Sequence, residues 1–239
     1  MENNLKNKKV FIFDLDGTLI DSTSSWDLVD SEVIKLGGGS PREYIKEERD
    51  KILTIAGNKN PYRVYEKYLI DSYGLKFTPE EIAKARSDIS KCVTTHIELK
   101  PGAAEILKFL KSKKKGLALA TLSSREIYEV YCNENQNIMS NINFELIFGE
   151  NVLTHEDVKF NKPDPEIYFR ARAKFEGIYV SQMLVIEDSV IGIESARAAG
   201  IEVVGICDTQ SEREKMLIKN KANYVFPSLE DLLNELKKK

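Results

Sequence analysis

Two aspartates separated by one residue, Asp14 and Asp16, stand directly after the apolar run Val10-Phe11-Ile12-Phe13 and just before Gly17 and Thr18. An unbroken apolar run of this kind reads as a buried parallel strand, and ligands of open α/β sheets gather beyond the carboxyl ends of such strands. Two carboxylates held there repel one another unless a cation neutralises them. A hard divalent ion with oxygen ligands is the natural partner, and with it one acid can attack an electrophile while the other moves protons. The competing reading is a plain Asp-Gly turn. Three further segments carry matching chemistry. Leu117-Ala118-Leu119-Ala120-Thr121 is a strand ending in a hydroxyl, Asn161-Lys162-Pro163-Asp164-Pro165 sets a lysine in a stiffened loop, and Leu184-Val185-Ile186-Glu187-Asp188-Ser189 is a strand ending in two adjacent acids. Acids for a metal, an ammonium for an anion, and a hydroxyl with loop amides for oxygens make the inventory of phosphoryl transfer.

The elements that must deliver these residues are legible as alternation. Strand-like runs recur at Lys9 to Phe13, Leu117 to Ala120, Phe144 to Phe148, Met183 to Ile186, Val203 to Ile206 and Tyr224 to Phe226, with helical periodicity in most of the intervals. This predicts an α/β fold, a doubly wound and mainly parallel sheet with helices on both faces. Pro101-Gly102 opens a helix; Ser189 caps another that Gly200 ends, and Ser228 with Asp231 starts the last. Residues 22–98 break the rhythm. They contain no convincing strand, only helical stretches near Ser25 to Leu36, Pro41 to Ala56, Pro61 to Tyr73 and Pro79 to His96. The simplest organisation is an α/β core of residues 1–21 and 99–239 with an inserted helical cap, 22–98, above Asp14 and Asp16.

Composition excludes several classes. Lys+Arg number 35 and Asp+Glu 38, a formal charge of −3, and the Lys-rich patches are short, so nothing suggests nucleic acid. Met1 to Lys9 is polar and lacks the apolar segment of a signal peptide, and no stretch approaches the about 20 apolar residues of a membrane span. Cys92, Cys132 and Cys207 lie far apart without metal-ligand spacing and read as reduced thiols of a cytoplasmic protein. With only His96 and His155, a histidine-rich metal site is excluded, and a Ser-His-Asp triad has little to draw on.

Asp14-Leu15-Asp16-Gly17-Thr18, Thr121, Lys162 in Lys-Pro-Asp-Pro, and Glu187-Asp188-Ser189 with Gly192 and Ala198-Ala199-Gly200 resemble the haloacid dehalogenase superfamily. Within it they are similar to the helical-cap group of phosphatases and β-phosphoglucomutase-like enzymes. The resemblance spans essentially the whole chain and implies a Rossmann-like core. It further implies that Asp14 is the nucleophile and forms an aspartyl-phosphate, that Asp16 is the general acid and base, and that Lys162 neutralises the nucleophile and the phosphate. Mg²⁺ would be held by Asp14, the Asp16 carbonyl and Asp188, with Glu187 as a direct or water-bridged ligand. Thr121 and the backbone of Leu122 would hold phosphate oxygens. Leu122 stands where the family often has asparagine. Trp26 stands where mutases of the group carry a histidine, and Thr18 is retained where they often replace it; both differences favour hydrolysis.

The expected function is therefore a Mg²⁺-dependent phosphatase of a small phosphorylated metabolite, acting as a monomer or weak homodimer. A sugar-phosphate mutase is the alternative. A dehalogenase has no need for Asp16 together with the metal-binding acids, and a non-catalytic phospho-binding module has no need for the cap or for the Lys-Pro-Asp-Pro loop. Lys59, Tyr62 and Arg63 in the loop from Gly57 are candidates to reach over the nucleophile, the two cations toward a second anionic group and Tyr62 toward a ring; Arg125 is a similar candidate.

Overall fold

The computed structural model describes residues 4–55 and 61–238. Six strands form one sheet: β1 (Val10–Phe13), β2 (Gly116–Ala120), β3 (Val152–Leu153), β4 (Met183–Glu187), β5 (Glu202–Ile206) and β6 (Tyr224–Phe226). Every pairing is parallel, in the order β3-β2-β1-β4-β5-β6. Side chains alternate between the faces of a strand, and the buried residues divide accordingly. Phe11, Phe13, Leu117, Leu119, Leu184 and Ile186 pack on one face; Val10, Ile12, Ala118, Ala120, Met183 and Val185 pack on the other. The first face is covered by α5 (Ala103–Ser112), α6 (Arg125–Asn133), α7 (Gln136–Met139), α8 (Phe144–Phe148) and α12 (Leu229–Lys237); the second by α9 (Glu166–Ala173), α10 (Val190–Ala198) and α11 (Glu212–Lys221).

This strand order has its switch point between β1 and β4, where successive connections leave in opposite directions and open a crevice at the carboxyl edge. Asp14 and Glu187 therefore emerge side by side; the Asp14 amide donates to the Ile186 carbonyl at 3.0 Å.

Helices α1 (Thr23–Leu36), α2 (Ile45–Ile55), α3 (Pro61–Tyr73) and α4 (Pro79–Thr94) follow β1 and share an apolar core of their own. Val29, Val33, Ile45, Tyr65, Leu69 and Ile82 are buried in it. Thr78 caps α4 through the Glu81 amide, and Glu81 reaches back to the Thr78 amide, so both free donors are satisfied and the start is sharp. Ser189 and Ser228 cap α10 and α12 as the sequence predicts. Among the described residues no helix is long and apolar enough to cross a membrane.

One expectation is corrected. Phe144 to Phe148 is a helix, and the short strand on that edge is Val152–Leu153. The Asn143 side chain accepts from the Leu146 amide at 2.8 Å, and this cap outweighs the strand propensity of Phe-Glu-Leu-Ile-Phe. Phe144 and Phe148 still reach the core, from one helix face, while Leu146 faces outward.

Candidate active site

Lys162 is the hub of the carboxyl edge. Its buried ammonium donates to Asp14 Oδ1 at 2.7 Å, Glu187 Oε1 at 2.6 Å and the Ala120 carbonyl at 2.9 Å. Three donors thus meet three acceptors from the ends of β1, β2 and β4. Glu187 is held further by the Tyr168 hydroxyl on Oε1, at 2.7 Å, and by the Ser189 hydroxyl on Oε2, at 2.9 Å. Its neighbour Asp188 points elsewhere: Thr18 donates to Oδ1 and the Gln210 amide to Oδ2, each at 3.0 Å. Asp16 is gripped by two hydroxyls, Ser123 on Oδ2 and the buried Tyr131 on Oδ1, the latter at 3.0 Å. Gly17 adopts φ +83°, and a Cβ there would collide with Asp188 Oδ2, so only glycine lets the turn after Asp16 pass that carboxylate.

Asp14, Glu187 and Asp188 each offer an oxygen within 4.8 Å of the others. Burial, opposed by Lys162 and reinforced by Glu187 and Asp188, raises the Asp14 pKa well above its ordinary value. Burial first, then Glu187, pushes Asp188 up to about 7. Burial also disfavours the Lys162 ammonium, but Asp14 and Glu187 outweigh it and its pKa rises. Three converging carboxylates against one ammonium leave negative charge poorly compensated, and every donor is a hard oxygen. That set fits a hard divalent cation. Glu187 brings the fewest spare lone pairs to such an ion, because Lys162, Tyr168 and Ser189 already occupy both its oxygens.

A switch-point aspartate tied by a loop lysine to an acid on the neighbouring strand is one half of the assignment; sequence comparison supplies the other. The family model for haloacid dehalogenase-like hydrolases matches residues 8–200. The chain belongs to that family. Across 226 residues this hydrolase is 26% identical to a Drosophila melanogaster protein named "Probable pseudouridine-5'-phosphatase", covering 94% of the chain and 91% of the relative. Across 228 residues it is 28% identical to the phosphorylated carbohydrates phosphatase of Thermotoga maritima, covering 95% and 97%. The crystal structure of CbbY from Rhodobacter sphaeroides in complex with phosphate shares the fold, with a TM-score of 0.75, 22% identity and coverage of 94% and 96%.

In the hydrolase a cavity of about 470 Å³ lies between the sheet edge and the helices α1, α3 and α4. Asp14, Asp16, Thr121, Leu122, Lys162 and Asp188 all line it. The Thr121 hydroxyl accepts from the Ser123 amide at 3.0 Å, and the Leu122 carbonyl accepts from the Tyr62 hydroxyl at 2.6 Å. That second bond ties α3 to the loop after β2, and burial raises the Tyr62 pKa. Arg63 lines the same cavity, with its guanidinium on Glu66 and the Pro79 carbonyl. Lys59 lies outside the described residues. Arg125 stays out of the cavity wall: its guanidinium holds Asp157 and the Val152 carbonyl.

Tyr131, Tyr168 and Gln210 hydrogen-bond the acids of the site, contacts that sequence reasoning missed. Each acts on a residue far away in the chain, and a lone Tyr or Gln carries no spacing signal. The capping role of Ser189 was legible, but its hydrogen bond to Glu187 was not.

Proposed function

We propose that the hydrolase is a Mg²⁺-dependent phosphatase of a small phosphorylated metabolite, working through an aspartyl-phosphate on Asp14. The observation that carries this reading is the single ammonium of Lys162 shared between Asp14 and Glu187 at the edge of a cavity that Asp16 also lines. Lys162 opposes the rise in the Asp14 pKa that burial brings and offers its charge to the incoming phosphate. Asp14 attacks phosphorus, and the bond to the leaving oxygen breaks as Asp16 delivers a proton to it. Asp16 then takes a proton from water, which attacks the acyl phosphate, freeing inorganic phosphate and restoring Asp14. Ser123 and Tyr131 hold the Asp16 carboxylate through this exchange. Thr121 and the Leu122 backbone serve the phosphate oxygens. Asp14, Asp188 and the Asp16 carbonyl would hold the metal, with Glu187 as a direct or water-bridged ligand. A divalent ion held there would supply positive charge to oxygens that gain negative charge in the transition state.

Residues 22–98 act as the cap that closes over this chemistry and excludes water, tied to the core by Tyr62 on the Leu122 carbonyl, Lys46 on Glu214 and Ser87 on Glu126. Trp26 lines the cavity where a mutase would use a histidine, and an indole N–H cannot shuttle a proton near neutral pH, which favours hydrolysis. The relatives named for pseudouridine-5'-phosphate and for phosphorylated carbohydrates support a small monophosphate substrate. The test is hydrolysis of p-nitrophenyl phosphate with and without Mg²⁺. Turnover should need the ion and vanish in Asp14→Asn; undiminished turnover in that variant refutes the mechanism.

A further inference from the structure

The cavity wall opposite Asp14 is built from charges that cancel. Asp30 on α1 is fully buried and accepts Arg49 Nη1 at 2.9 Å, Arg86 Nη2 at 2.8 Å and the Tyr65 hydroxyl at 2.9 Å. Arg49 also holds Asp27 at 2.7 Å, and Arg63 holds Glu66 at 3.2 Å. The three guanidiniums that line the wall are thus matched by three carboxylates, Asp27, Asp30 and Glu66. Glu126, also on the wall, is matched by Lys91. Removing a second phosphate from water requires positive charge that is not already spent, and among the described residues every cation of this wall has its counter-ion.

The wall nevertheless asks for a ligand. Arg86 Nε is buried without a hydrogen-bond partner among the described residues, on a side chain that is only 11% exposed and lines the cavity. A buried unsatisfied donor is costly until an acceptor reaches it, and a neutral hydroxyl or carbonyl oxygen suffices. Beside it the Tyr62 and His155 rings lie 5.4 Å apart, tilted by 55°, and with Trp26 and Ile127 they give the cavity flat apolar surface.

We propose that the hydrolase selects phosphomonoesters whose alcohol is an uncharged, hydroxyl-bearing ring, a sugar or a nucleoside, and rejects those carrying a second phosphate. This rests on the phosphatase reading and deepens it. One phosphate goes to Asp14 and Lys162, the ring lies against Tyr62, His155 and Trp26, and a ring oxygen or hydroxyl accepts from Arg86 Nε. Arg49, Arg63 and Arg86 shape the wall without supplying net charge.

The test is competition against p-nitrophenyl phosphate turnover at fixed free Mg²⁺, using fructose 6-phosphate against fructose 1,6-bisphosphate and uridine 5′-phosphate against uridine 3′,5′-bisphosphate. In the pair whose ring fits, the monophosphate should compete at least tenfold better; which pair this is separates sugar from nucleoside. Glu66→Gln leaves one guanidinium in excess and should shrink that preference at least threefold. Should this variant fail to fold, Arg63→Gln, at an exposed position, should enlarge it. Bisphosphates that compete as well as monophosphates, four compounds that all fail to compete, or a preference unmoved by these substitutions would each overturn the proposal. Absence of any aryl phosphate turnover counts instead against the phosphatase reading.

Discussion

Gly192 lies against Glu187 so closely that the carboxylate fills the space where a Cβ would stand. The glycine is in α10, where alanine would favour the helix, so its presence marks the close approach and not a need for flexibility. Gly192→Ala must displace Glu187 and, with it, one of the three acceptors of Lys162. We expect a loss of about 1–3 kcal/mol of stability, the usual cost of overpacking, and at least a tenfold fall in kcat. Chemical denaturation and steady-state kinetics on the same preparation check both; a variant as active as the parent would show that Glu187 does not position Lys162.

Lys162→Met removes the one ammonium between Asp14 and Glu187, two acids that are nearly or fully buried. Breaking a buried ion pair from one side costs about 3–5 kcal/mol, and activity should fall below detection. Adding Glu187→Gln should recover part of the stability and none of the activity. Denaturation midpoints of the single and double variants give the answer, and strict additivity would speak against a shared network.

The metal-free protein should lose stability as pH rises. The Asp188 carboxyl, raised to about 7 by burial and by Glu187, keeps a proton that the unfolded chain releases near pH ~4. Between those values the folded state holds more protons, so stability declines through that window. A metal competes with the same proton. Mg²⁺ should therefore raise Tm, more at pH 8 than at pH 6, and EDTA should reverse the gain. Equal gains at both values would remove Asp188 from the ion's holders.

Tyr131→Phe keeps the buried ring and deletes the hydroxyl that donates to Asp16 Oδ1. Stability should change by about 1 kcal/mol, the net worth of one hydrogen bond. Asp16, the proposed general acid, then has one hydroxyl support, Ser123, and kcat for an alkyl phosphate should fall about tenfold. With p-nitrophenyl phosphate, whose leaving group needs little protonation, the fall should be much smaller. Equal falls on both substrates would indicate a structural role alone.

Sequence alone determined whatever a short segment can carry. The apolar run ending at Asp14, the caps Ser189 and Ser228, and the alternation of strands and helices are written within single turns or strand lengths, where periodicity and side-chain-to-backbone hydrogen bonds decide. The boundary at Phe144 to Phe148 went the other way, because an apolar pentapeptide fits either period and Asn143 decided it. Only the tertiary structure separated the roles of Glu187 and Asp188. Adjacent residues at a strand end point to opposite sides, so one turns inward to Lys162, Tyr168 and Ser189 and the other toward Thr18 and Gln210. The charge balance of the wall, with Asp30 meeting Arg49 19 residues on and Arg86 56 residues on, is likewise a product of helix packing. Such contacts depend on where α1, α2 and α4 cross, and no local spacing encodes that.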